Sequence, residues 1–361
     1  MPRPRFAHLG PARTGRGDAA RQFLPRWGRG TACKAVEGAW PERSQPRPGP
    51  LGRFEPAPPT GEQQARSFVA RLALAAALFA APALAHADAL GAYYERSVMT
   101  AANQRCGLFT PDLASALATA QAQARGAALR SGATGGALVQ LVERARGRAD
   151  AVACTSPDII KAADRVRGAF EGFSRLQRMN FPGETSDWMA NRSASRLGPV
   201  WKLSQTARFG DAGLVFGLAG KGDARLLVAV VGFPGNAQPY AARLIMRDAA
   251  LAPDPYLNAI QSRGRGPLPL DARMPPRSAT LGVLAEARAQ ADAPLLPPGV
   301  RSGYAFRFPS TTIATLAELD PREAIAIEFL FADGPRDEVR TAYVEVGDFA
   351  AGRAFLTTAQ R

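Results

Sequence analysis

The stretch that decides the fold is residues 200–233, VWKLSQTARFGDAGLVFGLAGKGDARLLVAVVGF. Trp201, Leu203 and Phe209 alternate with polar residues, and this period of two is typical of a half-buried β-strand. Two apolar runs follow, separated by the turn Gly220-Lys221-Gly222-Asp223, whose glycines favour a hairpin. The stretch therefore predicts an antiparallel sheet.

The same alternation returns further along the chain. It is clear in Ile325, Ile327, Phe329 and Phe331, which precede the turn Asp333-Gly334-Pro335. The chain then ends in an apolar helix, for which we expect Asp348 to be the N-cap. The Pro/Gly-rich segments near 252–277 and 291–303 are expected as surface loops. We predict that residues 200–361 form an antiparallel β-rich, sandwich-like domain with a C-terminal helix.

The pattern before residue 180 is helical instead. Four helices are predicted: the first over 88–104, the second with Thr110 as N-cap, the third with an apolar stripe from Leu138 to Val152, and the fourth beginning at Ser156. Short connections make neighbouring helices antiparallel. The predicted fold class is α+β, with a four-helix bundle-like domain over 88–180, a linker over 181–199 and the β-rich domain after it. Trp188 and Phe181 are expected to hold the linker against one domain.

The segment before residue 88 resembles an export signal. Residues 66–87 contain Arg71, a short apolar run from Leu72 to Leu84, and the small-residue site Ala85-His86-Ala87. The run is too short to span a bilayer. We expect cleavage after Ala87, which would place the mature protein in the periplasm or outside the cell, without a transmembrane anchor. Residues 1–65 are expected to be a disordered or mis-annotated upstream leader, and translation starts at Met1 or nearer to Val69.

The positive charge is concentrated in this leader. The whole chain carries a net charge of +14, and residues 1–87 hold 13 Lys and Arg against 5 Asp and Glu. The remaining residues have a net charge of +6, which favours solubility and weak attraction to anionic surfaces. We therefore do not expect nucleic acid as a partner.

The histidines and cysteines restrict the chemistry of the mature chain. The two histidines, His8 and His86, both precede the predicted cleavage site, which excludes triads and zinc sites that use imidazole. We expect no metal and no cofactor. Cys106 and Cys154 follow the first and third predicted helices, whose C-termini share one end of the bundle. In an oxidising compartment such a pair is expected to form a disulfide.

The carboxylates Glu318, Asp320, Glu323 and Glu328 are the remaining candidates for catalysis. Paired carboxylates can hydrolyse glycosides without histidine. The alternative is structural, because Asp320-Pro321-Arg322-Glu323 is an ordinary turn and Glu328 alternates with apolar residues as a solvent-facing side chain would. A cleft that gathers two of these carboxylates would favour a hydrolase of cell-wall or other glycans.

Four cations are candidates for binding an anionic surface. Arg144 lies one helical turn from Arg148, and Lys161 one turn from Arg165. They form either a solvated face with local ion pairs or a patch for an anionic envelope component. The function that we predict is an exported, non-catalytic binding or envelope-associated protein, whose ligand and oligomeric state the residues do not specify.

Overall fold

The four helices predicted between residues 88 and 180 are present. The computed structural model describes residues 88–257, 268–332 and 338–357. The helices of this part are α1 at 88–106, α2 at Pro111–Arg130, α3 at Gly135–Asp150 and α4 at Pro157–Ala169. The third helix thus ends two residues before the end of its predicted stripe at Val152.

Two helices of the bundle, α3 and α4, begin with a side-chain cap. The hydroxyl of Ser156 accepts a hydrogen bond from the Asp158 N–H at 3.3 Å, and that of Thr134 accepts one from Ala137 at 3.2 Å. Thr110 precedes α2, but its side chain makes no capping hydrogen bond. Pro111 begins α2 without needing an N–H donor, which compensates for the missing cap.

The bundle has two small hydrophobic clusters of its own. One joins the start of α1, the end of α2 and the first half of α3, and it contains Tyr93, Leu129 and Leu138. The other joins the second half of α1 to α4 through Met99 and Val166. α3 and α4 therefore meet different halves of α1 and α2. The small alanine side chains of α2 allow the neighbouring helices to approach it closely.

The remainder of the described chain forms two antiparallel sheets and two further helices. The strands are β1 Arg178–Phe181, β2 Trp188–Asn191, β3 Val200–Phe209, β4 Ala212–Gly220, β5 Leu226–Gly232, β6 Ala241–Arg247, β7 Thr280–Leu284, β8 Ala287–Gln290, β9 Tyr304–Phe308, β10 Ala324–Phe331 and β11 Glu338–Glu345. The helices are α5 at Thr312–Glu318 and α6 at Phe349–Leu356.

Each sheet has a defined strand order. The seven-stranded sheet runs β1-β2-β3-β4-β5-β9-β8, and the four-stranded sheet runs β11-β10-β6-β7. The two apolar runs of 200–233 form the predicted hairpin, β4 with β5, in which Leu218 lies opposite Leu227. β3 pairs with the other edge of β4, with Leu203 opposite Leu218. β7 and β8 follow each other in the chain and lie at the edges of different sheets, so this segment joins the two sheets along one side.

The core lies between the two sheets and extends to α6. It includes the inward residues Phe216, Phe306, Ile327 and Phe329, all without solvent exposure. α6 packs against α2 of the bundle, against α5 and against β1, β2 and β3. The C-terminal helix is therefore the element through which the bundle contacts the sandwich.

The segment predicted as a linker differs from the prediction. Residues 181–199 contain the whole of β2 and the last residue of β1, and β1 itself begins at Arg178 inside the predicted helical part. Phe181 and Trp188 are fully buried, and the Trp188 indole donates a hydrogen bond to the Val346 carbonyl at 2.9 Å. Because proline, glycine and polar residues lie between them, the sequence pattern does not indicate these two short strands, which the burial of Phe181 and Trp188 helps to stabilise.

Two other local expectations are corrected. The segment 291–303 is not only a surface loop, because Leu295 is buried against Val230 and covers the outer face of the larger sheet. Asp348 precedes α6, but its side chain makes no capping hydrogen bond. It binds Arg130 of α2 instead, at 2.9 and 3.2 Å.

The predicted fold class, an α+β fold with a four-helix bundle-like part, antiparallel sheets and a C-terminal helix, is confirmed. The described residues belong to one compact unit, and the division into two domains stays a prediction. The leader, the signal segment, His8, His86 and the turn at 333–335 lie outside the described residues. In the part that is described, no helix combines the length and apolarity needed to cross a bilayer.

The close contact of α6 with β3 generates a stability prediction. A methyl group added at Gly352 would lie 2.5 Å from a Leu203 methyl group, so we expect Gly352→Ala to destabilise the fold by about 1–3 kcal/mol through overpacking. Gly147 of α3 is the matched control, because an added methyl group meets no atom within 4 Å there. Gly147→Ala should stabilise the fold by up to about 1 kcal/mol through helix propensity. Urea unfolding of both variants measures this, and equal effects would contradict the packing argument.

Candidate functional site

A fully buried carboxylate, that of Glu345 at the end of β11, is the centre of the site. One of its oxygens accepts the backbone N–H of Glu184 at 2.7 Å. The other accepts the N–H groups of Thr185 and Ser186 at 2.8 and 3.0 Å, and the Thr185 hydroxyl at 2.7 Å. Successive N–H groups that point at one anion form a backbone nest. The loop between β1 and β2 therefore supplies the donors that a buried charge requires.

Gln205 extends this arrangement to β3. Its side chain is 1% exposed, and its carbonyl oxygen accepts the Glu345 N–H at 2.9 Å. Its amide nitrogen donates to the Ser186 carbonyl at 3.4 Å. The loop, β3 and β11 are thus held together by polar contacts at a place where the two sheets meet.

Arg273 brings a second buried charge to Glu345. Its guanidinium is 1% exposed and lies 3.1 Å from a Glu184 carboxylate oxygen and 3.8 Å from that of Glu345. It also donates to the carbonyls of Leu268 and Arg322, at 2.8 and 3.3 Å. The Nη2 atom is buried and has no hydrogen-bond partner in the described part of the chain. The guanidinium offsets the charge of Glu345, but its own donors are incompletely used.

Two of the predicted catalytic carboxylates lie beside this centre. Asp320 and Glu323 are 4% and 1% exposed. Asp320 binds Arg322 in bidentate fashion, with both contacts at 2.9 Å. Glu323 binds Arg247 at 2.5 and 3.1 Å, and it also accepts the Asp320 N–H at 2.8 Å. The hydrogen bonds that the Arg322 guanidinium donates to Asp320 raise the pKa of Arg322, which therefore stays charged.

The other two predicted carboxylates are not part of this cluster. Glu318 is the last residue of α5 and its side chain is exposed. Glu328 lies on the outer face of β10, opposite Arg243 of β6, and its carboxylate accepts two hydrogen bonds from that guanidinium at 2.8 and 2.5 Å. The structure thus brings together Asp320 and Glu323 but not the whole predicted set.

The geometry around Asp320 and Glu323 favours a structural role over a catalytic one. A general acid or nucleophile must reach a substrate atom at hydrogen-bond distance. Both carboxylates are enclosed, and each is bound by an arginine guanidinium. In this arrangement they can hold the start of β10 against β6, but they present no accessible acid.

A small cleft lies between α2, α5 and α6, with a space of about 240 Å³ that includes open solvent. It is lined mostly by small residues and by Arg125 and Asp348. Burial raises the pKa of the Asp348 carboxyl above its ordinary value, although hydrogen bonds from Arg130 act in the opposite direction. No further polar group from the described residues converges on the cleft, so it lacks the specificity of a ligand site.

The four candidate surface cations do not share one environment. Arg144 and Arg148 are exposed on α3, and Lys161 is exposed on α4. Within the described residues, none of these three has a carboxylate within ion-pair distance. Arg165 is half-buried. Burial raises the pKa of the Glu95 carboxyl above its ordinary value, and the charge of Arg165 opposes this shift only in part. Arg144 and Arg148 are therefore the pair most available to an anion.

The predicted cysteine pair lies at disulfide distance. Cys106 ends α1 and Cys154 lies in the α3–α4 connection, and their Cα atoms are 5.6 Å apart. The neighbouring Arg105 donates to the carbonyls of Asp150 and Val152, the first at 3.0 Å. The arginine thereby satisfies backbone acceptors at the C-terminus of α3.

Arg192 makes contacts that are important for the fold, and the sequence patterns did not identify it. Its guanidinium lies 4.7 and 3.6 Å from the ring centres of Phe173 and Phe355, and it donates to the carbonyls of both residues. Burial lowers the pKa of Arg192 to about 10. This cation links the end of the bundle, β2 and α6.

Sequence reasoning also missed Glu345, Arg273 and Gln205. Along β11, Glu345 is in phase with the outward residues Val339, Thr341 and Tyr343, and a polar residue there looks solvent-facing. Arg273 lies within the Pro/Gly-rich segment 252–277, whose composition predicts a surface loop. A weak signal was available in Pro182-Gly183 before three potential N–H donors, because such loops can form anion nests.

No group of three or more histidine, cysteine or acidic side chains in the described part of the chain is arranged to hold a metal ion. The chain matches no protein-family model, no curated protein and no solved structure at a significant level. The functional argument therefore depends on this chain's own geometry.

The nest around Glu345 generates a prediction. Removing the carboxylate in Glu345→Ala leaves four donors and Arg273 without their acceptor, and we expect a loss of about 3–5 kcal/mol in stability. Formate, a small carboxylate, should restore part of the melting temperature by occupying the vacated nest. Thermal unfolding with formate or with chloride at equal ionic strength measures this.

The control is Glu338→Ala, which removes an exposed carboxylate paired with Arg340. It should change stability by less than about 1 kcal/mol and show no specific response to formate. An equal formate effect on both variants would mean that the nest is not an anion site.

Proposed function

We propose that the chain is an exported, non-catalytic binding or envelope-associated protein. The observation that carries the proposal is the Cys106–Cys154 pair at disulfide distance. Disulfides persist in oxidising compartments outside the cytoplasm. The export-type segment at 66–87 agrees with this compartment, since its short apolar run and its Ala85-His86-Ala87 site are typical of a cleaved signal.

The state of the carboxylates favours binding over glycan hydrolysis. Asp320 and Glu323 are enclosed and neutralised by Arg322 and Arg247. A glycosidase needs two carboxylates on either side of an accessible bond. The same residues instead anchor β10, which supports a structural role for them.

The candidate binding surface is the outward side of α3. Arg144 and Arg148 are exposed and one turn apart. Such a surface suits an anionic envelope component, and the interaction would weaken with salt.

Export and processing can be tested on protein isolated from its native host. We expect an intact mass that begins at Asp88, since cleavage is predicted after Ala87. Reduction should raise this mass by about two daltons as the cysteine pair takes up two hydrogens. A mass that includes residues before Ala87, together with free thiols, would contradict export.

The binding surface can be tested with vesicles that contain anionic phospholipid. The wild-type protein should co-sediment with them in low salt and be released as salt is raised, because exposed charges are screened. Arg144→Glu/Arg148→Glu should abolish this binding. Arg208→Glu/Arg301→Glu, which changes two exposed cations of the β-rich part by the same charge, is the matched control and should retain most of it. Equal loss in both variants would show that net charge alone is responsible.

A further inference from the structure

The bundle is a weakly packed part of the molecule. The main core cluster has 30 buried hydrophobic residues among those described, and it lies between the sheets and around α6. The two clusters inside the bundle have seven and four, and three of the seven are alanine. Local opening is expected where few apolar contacts oppose it. The bundle is therefore the place where opening can occur while the sheets stay folded.

Within the bundle, the second half of α3 has the least apolar anchorage. Its first half buries Leu138 and Leu141, but after these the buried residues are Ala145 and Ala149. Gly147 lies between them, and a glycine in a helix interior costs about 1 kcal/mol relative to alanine. Side-chain packing alone holds this half of the helix weakly.

Other interactions hold the end of α3 in place. Arg105 of α1 donates to the carbonyls of Asp150 and Val152. The adjacent residue, Cys106, is joined to Cys154 four residues beyond the helix end. Both attachments come from the same end of α1, so one covalent bond keeps the Arg105 donors next to their acceptors.

The disulfide is open to attack from solvent. Cys154 is exposed and Cys106 is half-buried. Thiol–disulfide exchange requires that an attacking thiolate reach one of the two sulfurs. The exposed side of Cys154 provides this access without prior unfolding of the bundle.

We propose that the Cys106–Cys154 disulfide is a redox switch that locks the second half of α3 onto α1. In the reducing step a dithiol reductant attacks the disulfide, its own two sulfurs become a disulfide, and two electrons and two protons pass to Cys106 and Cys154 as thiols. The S–S bond breaks, and the segment from about residue 145 to 154 opens. The proposal does not rest on export, because it concerns only the link between the bond and the helix.

Opening of this segment leaves the rest of the molecule intact. The link from the bundle to α6 runs through α2, whose Arg130 binds Asp348, and α3 is absent from the main core cluster. The strands β3, β4 and β5 are therefore expected to remain protected in both redox states. The switch changes the order of one end of the bundle. This end includes the exposed cation Arg148.

Hydrogen exchange by mass spectrometry on the full chain tests the proposal. After reduction with a dithiol, amides of residues 145–154 should exchange at least about tenfold faster, while those of β3, β4 and β5 are unchanged. Cys106→Ser/Cys154→Ser should reproduce this pattern without reductant, and the reductant should then have no effect. Unchanged exchange in residues 145–154 after reduction would overturn the proposal, and so would loss of protection throughout the sheets.

Gly147→Ala provides an independent second variant. It strengthens the helix in the same segment and does not touch the disulfide. In the reduced protein it should slow exchange of residues 145–154 relative to the unsubstituted chain. An equal rate in the two reduced proteins would overturn the assignment of the opening segment to α3. Neither result depends on vesicle binding or on the mass of the native protein.

Discussion

The buried carboxylate of Glu345 is the constraint on which the meeting of the two sheets depends. A charge without solvent exposure must be surrounded by donors. Glu345 obtains them from the β1–β2 loop and from Arg273. Its own backbone N–H donates to the side-chain oxygen of Gln205. The loop that sequence patterns suggested as a linker is thereby held against β11. The short strands β1 and β2, which could not be stable alone, are ordered by this contact.

Charge pairs continue along the same end of the smaller sheet. Arg247 with Glu323, and Arg322 with Asp320, occupy the turn before β10 and the end of β6. Such buried pairs contribute little net stability compared with apolar residues of the same size, but breaking one partner is costly. Their effect here is to define one register for β10 against β6. The carboxylates that suggested catalysis are thus explained by the geometry of the turn.

The bundle and the sandwich are stabilised by different interactions. The sandwich buries large aromatic and branched side chains between its sheets, whereas the bundle packs alanine and adds a covalent bond. Arg130 with Asp348, and Arg192 between Phe173 and Phe355, connect the two parts through α6. Disulfide loss would consequently act on the bundle first, since the bond joins the end of α1 to the α3–α4 connection, and neither segment carries these connections.

Sequence by itself determined the features that arise from local patterns. The change from a helical period to a period of two identified the fold class. Proline and N-cap residues located the helix starts to within a few residues, and the parallel course of α1 and α3 predicted the cysteine pair. These inferences succeed because the interactions involved are close in the chain or follow from short connections.

Only the tertiary structure decided which polar residues are buried and with whom they pair. Glu345 and Glu184 are 161 positions apart, and Arg130 and Asp348 are 218 apart. Nothing local distinguishes Glu345 from an outward-facing strand residue, or Asp348 from an ordinary N-cap. Their environments depend on which distant elements cover them, and that is set by packing of the two sheets and α6 as a whole.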